Sequence, residues 1–282
     1  MTQTETDLAR IAAALERLAP PPAATADRLA HPAYVWRGGL AAARAFAPLP
    51  LDLLTGIELQ KQAVLENSRR LAAGHAAHDV LLWGARGMGK SALVKSAVGA
   101  VQAEGGDLAL IEVPEDRIGS LPALFAAIAD APRAFAVFID DLGFEDNGGD
   151  ARLLRSLLEG GAEARPANAR LHVTSNRRHI VARHMEEQQS AINPRDVVDD
   201  RLALADRFGL SLGFHNCDQD SYLAMVANYA RIHGLTYDPA DALLWAQQRG
   251  SRSGRVAWHY ANELAARAGM RLDAAGGESS RA

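Results

Sequence analysis

From residue 51 onward, short apolar runs alternate with longer stretches of helical spacing. Residues 79–83, 108–113, 135–140, 170–174 and 210–214 are rich in Val, Ile, Leu and Phe and are predicted strands. Between them, residues 91–103, 121–129 and 151–158 repeat apolar positions three and four apart, the period of a helix with one buried face. Residues 193–208 read as partly helical. Near-continuous apolar strands separated by helices predict a parallel sheet sandwiched by helices, an α/β fold. Ahead of the first strand, Leu53, Leu54, Ile57, Leu59, Val64, Leu65 and Leu71 predict a further helix.

After Phe214 the strand signal stops. Residues 219–232, 239–249 and 253–268 are predicted helices, broken at Gly234 with Pro239 and at Gly250. The shift predicts an α/β domain over 51–214 and a small helical lid domain over 215–272. Leu8, Ile11, Leu15 and Leu18 stand at helical spacing before Pro20-Pro21-Pro22, so residues 1–50 are expected to form an N-terminal helical extension. The polar, Gly-containing tail 273–282 is expected to be disordered.

Composition narrows the function without naming it. The chain of 282 residues is 48% hydrophobic and 23% charged, ordinary for a globular protein. A formal charge of −4 provides no global basic footprint for nucleic acid. Cys217 is the single cysteine, which rules out an intramolecular disulfide and fits a reducing compartment. No apolar run approaches the ~20 residues of a membrane span, and the N-terminus lacks a signal-peptide pattern. The expectation is a cytoplasmic protein without a membrane partner. His75 with His78, and His215 with Cys217, lack a second pair at zinc-site spacing.

The chemistry lies in Gly84-Ala85-Arg86-Gly87-Met88-Gly89-Lys90-Ser91, a match to the phosphate-binding pattern G-x-x-x-x-G-K-[ST], the Walker A motif, followed by Ala92. Its glycines allow successive N–H groups to converge on phosphate oxygens. Lys90 would face the β- and γ-phosphates of ATP or ADP, and Ser91 would offer a hydroxyl to Mg²⁺ at a helix N-terminus. Lysine is rare in this chain, at positions 61, 90 and 95 alone. One of the three sits where an ammonium is chemically expected. The apolar run Ala136-Val137-Phe138-Ile139 ends in Asp140-Asp141. At the carboxyl end of a parallel strand Asp140 can join the magnesium shell, and Asp141 can orient the attacking water. Glu145 is a weaker candidate acid.

These motifs, with the polar tip Thr174-Ser175-Asn176 on the next strand, resemble AAA+ P-loop ATPases. Ile139-Asp140-Asp141-Leu142-Gly143 is similar to the acidic strand end of the DnaA and DnaC/IstB branch. Roughly residues 50–270 resemble a bacterial family of predicted AAA+ ATPases of unknown function. The shared segments are Gly-Ala-Arg-Gly-x-Gly-Lys-Ser, Asp-Asp-Leu-x-Phe-Glu, Thr-Ser-Asn-Arg-Arg-His, Asp-Arg-Phe-Gly-Leu and Arg-Ser-Gly-Arg.

The resemblance implies strand order 5-1-4-3-2. It makes Asn176 the sensor 1 residue, Arg207 an arginine finger reaching a neighbouring subunit in a homo-oligomer, and Arg255 the sensor 2 residue. Arg252 competes with Arg255 for that role. It also implies an unidentified protein or nucleic-acid client. Two departures matter: Asp141 is one methylene shorter than the more common Glu, and residues 114–119 lack the aromatic of a protein-threading pore loop. A nucleotide-switched scaffold or loader with negligible turnover is the rival reading, and a P-loop kinase a third. The basic stretch Arg177, Arg178, His179, Arg183 and His184 reads as a solvated helix face or a contact to phosphate or a neighbour's acids.

Overall fold

The structure is a computed structural model describing residues 25–143, 148–159, 165–176 and 206–272, together with the isolated positions 4, 7, 10 and 11. Leu8, Leu15, Leu18, Glu145, the basic stretch 177–184, the partly helical reading from 193 to 205 and the tail 273–282 lie outside the described residues.

Seven strands form one sheet: β1 (Ala33–Trp36), β2 (Leu40–Ala42), β3 (Val80–Gly84), β4 (Leu108–Glu112), β5 (Ala134–Ile139), β6 (Ala169–Ser175) and β7 (Leu210–Phe214). Their order is β2-β1-β4-β5-β6-β3-β7, and only the β1–β2 pair is antiparallel. Read over β3 to β7, this is the expected order 5-1-4-3-2. Around the sheet lie α1 (Glu58–Ala72), α2 (Lys90–Ala103), α3 (Leu121–Ile128) and α4 (Gly148–Glu159). Beyond β7 come α5 (Gln219–His233), α6 (Pro239–Gln248) and α7 (Gly254–Arg267).

The two faces of the sheet bury alternate residues, as the pleat requires. Val80, Leu82, Ala136 and Phe138 share a core with Val64 and Leu71 of α1 and with Leu93, Ala97 and Val101 of α2. Leu81, Phe135, Val137, Ile139, Leu171 and Val173 face Leu124, Phe125 and Ile128 of α3 and Leu154 of α4. Strand β5 is buried along its whole length, which explains its unbroken apolar sequence.

The helical extension expected over residues 1–50 is corrected between Ala33 and Ala42. There the chain forms a hairpin whose first strand pairs with β4, Tyr34 beside Ile111. The reason is local. Tyr34-Val35-Trp36 favours a pleated, half-buried surface, and Arg37-Gly38-Gly39 makes the turn. Trp36 Nε1 donates to Ser120 Oγ at 2.8 Å, satisfying a buried indole.

His172 sits fully buried in β6, in register with Val80 of β3 and Phe138 of β5. Its Nδ1 lies 3.3 Å from the Arg170 carbonyl, and burial lowers its pKa to about 4. A depressed histidine stabilises the fold fully above its unfolded value of about 6.5 and loses that contribution as pH falls toward 4. Urea unfolding should therefore show a loss of about 3 kcal/mol between those values beyond that from the carboxylates; His172→Leu should keep the carboxylate part and lack the histidine's. Equal pH dependence in the two proteins would contradict this.

Candidate functional site

The loop between β3 and α2 is shaped by contacts that demand glycine. Gly84 has φ +121°, and a Cβ there would stand 2.1 Å from the Phe214 carbonyl oxygen. The adjacent Ala85 N–H donates to that same carbonyl at 2.8 Å, so β7 clamps the start of the loop. Gly87 has φ +74°, and a Cβ on it would meet Ser253 Oγ at 2.9 Å and Arg255 Cβ at 3.3 Å. The loop and the first turn of α7 are therefore in close contact. Arg255 N–H donates to the Gly87 carbonyl at 3.1 Å. Ser253 caps α7 by accepting from Val256 N–H at 3.3 Å.

Lys90 opens α2 with its side chain turned inward and only 5% exposed. Its ammonium donates to the Gly84 carbonyl at 3.0 Å, the Ala85 carbonyl at 2.8 Å and Asn176 Oδ1 at 3.0 Å. Burial pushes its pKa down to about 8; Asp141 and Asp140 oppose the shift, while Arg255 and Arg86 add to it. The electrostatics thus gather four expected site residues around one ammonium. Ala85 and Met88 are buried, and Ala92 packs against the core. Gly89 faces Leu54 and Ile57 of the segment leading into α1.

The acids stand beside this loop because β5, β6 and β3 are neighbours. Ser91 Oγ donates to Asp140 Oδ1 at 2.5 Å. Thr174 Oγ1 donates to the same oxygen at 2.6 Å and accepts from Asp141 N–H at 2.8 Å. Asn176 Nδ2 donates to the Asp141 carboxylate. Asp141 is the one non-glycine with positive φ, +53°, among the described residues. Asp tolerates this region better than most side chains, yet the conformation is uncommon.

Two arginines are placed elsewhere. Arg252 lies near Cys217 and Asp218, whose titration it influences, whereas Arg255 acts on Lys90. The two arginines thus face different neighbours. Arg207 precedes β7, which runs parallel to β3 with Leu210 beside Val80 and Phe214 beside Gly84. Four residue steps at ~3.3 Å place it about 13 Å or more from the loop end of the sheet. There it pairs with Glu159 at the end of α4.

Residues 29–268 match the family described as "Protein of unknown function (DUF815)". The chain belongs to the DUF815 family. Among curated proteins none matches it. Solved structures place the fold of this DUF815 chain among AAA+ P-loop NTPases. A RuvB variant of Thermotoga maritima is 18% identical with a TM-score of 0.51, over 78% of this chain and 65% of its own. Aeropyrum pernix Orc1, in a complex with DNA, is 16% identical with a TM-score of 0.53, over 77% and 62%. Hsp104 with ATPγS and casein is 15% identical with a TM-score of 0.50, over 77% and 39%. The DUF815 chain thus spans less than two thirds of each of these relatives.

No helix among the described residues is long and apolar enough to cross a membrane. No group of three His, Cys, Asp or Glu side chains gathers among them either. Ser91 Oγ and Asp140 Oδ1 offer a hydroxyl and a carboxylate at the start of α2, a sparse set that suits Mg²⁺, which is usually held by one or two carboxylates together with substrate phosphates and water.

The loop contact gives a direct prediction. Gly87→Ala should cost roughly 1–2 kcal/mol for its left-handed backbone and push α7 away. Hydrogen exchange at the Arg255 amide should then accelerate relative to the amides of α6. An unchanged Arg255 amide would show that the loop does not hold the helix.

Proposed function

We propose that this protein is a cytoplasmic AAA+ ATPase that binds ATP with Mg²⁺ at Gly84–Ser91 and hydrolyses it to drive a conformational change. The observation that carries this reading is the buried Lys90 ammonium. It is held by loop carbonyls and Asn176, with Asp140, Asp141, Arg86 and Arg255 close enough to act on its titration. Such a constellation supports binding of a polyphosphate, with the N-terminus of α2 adding its dipole.

In this reading the backbone amides of the loop and Lys90 grip the β- and γ-phosphates. Ser91 and Asp140, hydrogen-bonded to each other at 2.5 Å, are the residues that would hold Mg²⁺ together with phosphate oxygens and water. When bound, the ion neutralises charge on the phosphate oxygens. Asp141 orients the attacking water and takes its proton, and Asn176 hydrogen-bonds the water or the γ-phosphate. Arg255 reaches the nucleotide of its own subunit, which couples the lid domain 215–272 to the domain 51–214. Arg207, at the opposite end of the sheet from its own loop, acts on a neighbouring subunit in a homo-oligomer. The client is a protein or a nucleic acid.

One observation favours a second reading, the nucleotide-switched scaffold or loader. Asp141 is shorter than Glu, and its carboxylate is engaged by Asn176. A turnover assay across protein concentration separates the two readings. A rate per subunit that climbs with self-association supports catalysis in trans. A bound nucleotide with negligible turnover at every concentration supports the switch.

Lys90→Ala should abolish ATP binding in calorimetry. Asp141→Asn should retain ATP and lose about 10²–10⁴ in turnover. Full turnover in both variants would refute the site. Arg207→Ala should bind ATP normally and lose up to about 10³–10⁵ in rate only under assembled conditions. A dilute-state defect of the same size would place Arg207 in its own subunit's chemistry.

The lysine adds a pH test. Anion binding favours charged Lys90, whose pKa before binding is about 8. Above that pH, ATP affinity should fall by up to about tenfold per unit with proton uptake. Flat affinity between pH 7 and pH 9.5 would contradict the buried ammonium's role.

A further inference from the structure

Asp140 and Asp141 belong to one strand end, but the group that links them comes from the next strand. Thr174 is 1% exposed in β6, with Leu82 of β3 as its register partner. Its hydrogen bonds have one allowed polarity. Asp141 N–H can only donate, so Thr174 Oγ1 accepts it at 2.8 Å, and the hydroxyl proton is left for Asp140 Oδ1 at 2.6 Å. Asp140 Oδ1 also accepts a hydrogen bond from Ser91 Oγ. The carboxylate is thereby fixed toward the start of α2, where a metal-bound phosphate would stand.

The second bond acts on backbone. Asp141 holds φ +53°, a left-handed conformation that persists in a non-glycine residue only when its surroundings over-determine it. Thr174 supplies two of the constraints, its Oγ1 on the Asp141 amide and its carbonyl, which accepts from Leu142 N–H at 2.8 Å. Ser175 Oγ adds a bond to the Leu142 carbonyl at 3.2 Å, and Asn176 holds the Asp141 carboxylate. Reversing the left-handed turn would swing the Asp141 carboxylate away from Asn176.

We propose that Thr174 is a positioning residue that sets both acids at once, aiming Asp140 at the metal and holding Asp141 in the turn that presents its carboxylate. The inference rests on the ATP–magnesium reading of the site and adds a residue to it. A hydroxyl in the shell behind a metal ligand is commonly worth about 10- to 100-fold in metal affinity or activity.

The test compares the unaltered protein with Thr174→Val, which keeps shape and β-propensity, and Thr174→Ser, which keeps the hydroxyl. Thr174→Val should bind ADP without magnesium as the unaltered protein does. It should need about 10- to 100-fold more Mg²⁺ for half-maximal ATP turnover and show a lower kcat at saturating metal. Thr174→Ser should restore both. If Thr174→Val does not fold by circular dichroism, the comparison is read from Thr174→Cys, a weak donor of similar size. Unchanged magnesium dependence in the Val or Cys variant, or a Ser variant as impaired as they are, overturns the proposal while leaving the ATP site standing. Absence of ATP binding by the unaltered protein overturns both.

Discussion

The arrangement depends on keeping one ammonium charged and nearly dry. Removing Lys90 from water is costly, and its pKa is depressed accordingly. Three oxygens from two strand ends offset that cost, two on the loop after β3 and one on Asn176 beyond β6. They converge only because β6 lies beside β3, with Ser175 in register with Trp83. The acids need the next adjacency, β5 beside β6, with Ile139 opposite Val173. Strand order is therefore a requirement of the site's electrostatics as well as a label of the fold.

That dependence decides what could be read from the chain. The strand runs and the helical periods are local, and residues 108–112 and 210–214 fall where the pattern puts them. The phosphate loop is contiguous, so its spacing alone carries its chemistry. The hairpin at Ala33–Ala42 was legible in principle, since Tyr34-Val35-Trp36 followed by two glycines is a strand-and-turn signal. Its edge partner β4 supplies the stability that so short a pair lacks alone.

Other features had no local signal. Arg252 and Arg255 are three residues apart in similar polar surroundings, and only the way α7 meets Gly87 shows that Arg255 lies against the loop. The bridging role of the Thr174 hydroxyl requires knowing that β5 and β6 are neighbours. Arg207 was legible as lying just before a strand, whereas its distance from the loop end of the sheet comes from the parallel pairing of β7 with β3. In each case the missing information is a contact between segments distant in sequence, which composition and periodicity do not encode.

The same contacts bear on how a nucleotide would be felt beyond the loop. The helices after β7 are tied to the rest of the chain by two polar clips of different character. One joins α7 to the loop itself, Arg255 N–H to the Gly87 carbonyl. The other joins α5 to the segment before α1, where Asn228 Nδ2 donates to the Asp52 carbonyl at 2.6 Å and to Thr55 Oγ1 at 3.0 Å. Gly56 in that segment also lies against Met225 of α5. The first clip ends on a loop whose next residues open α2 and beside the Arg255 charge that acts on Lys90. The second clip has neither charge nor loop backbone in it. The helices after β7 are thus joined both to the loop that carries Lys90 and to the segment before α1, so the lie of α7 against Gly87 and that of α5 against Asp52 and Thr55 are set by different parts of the chain.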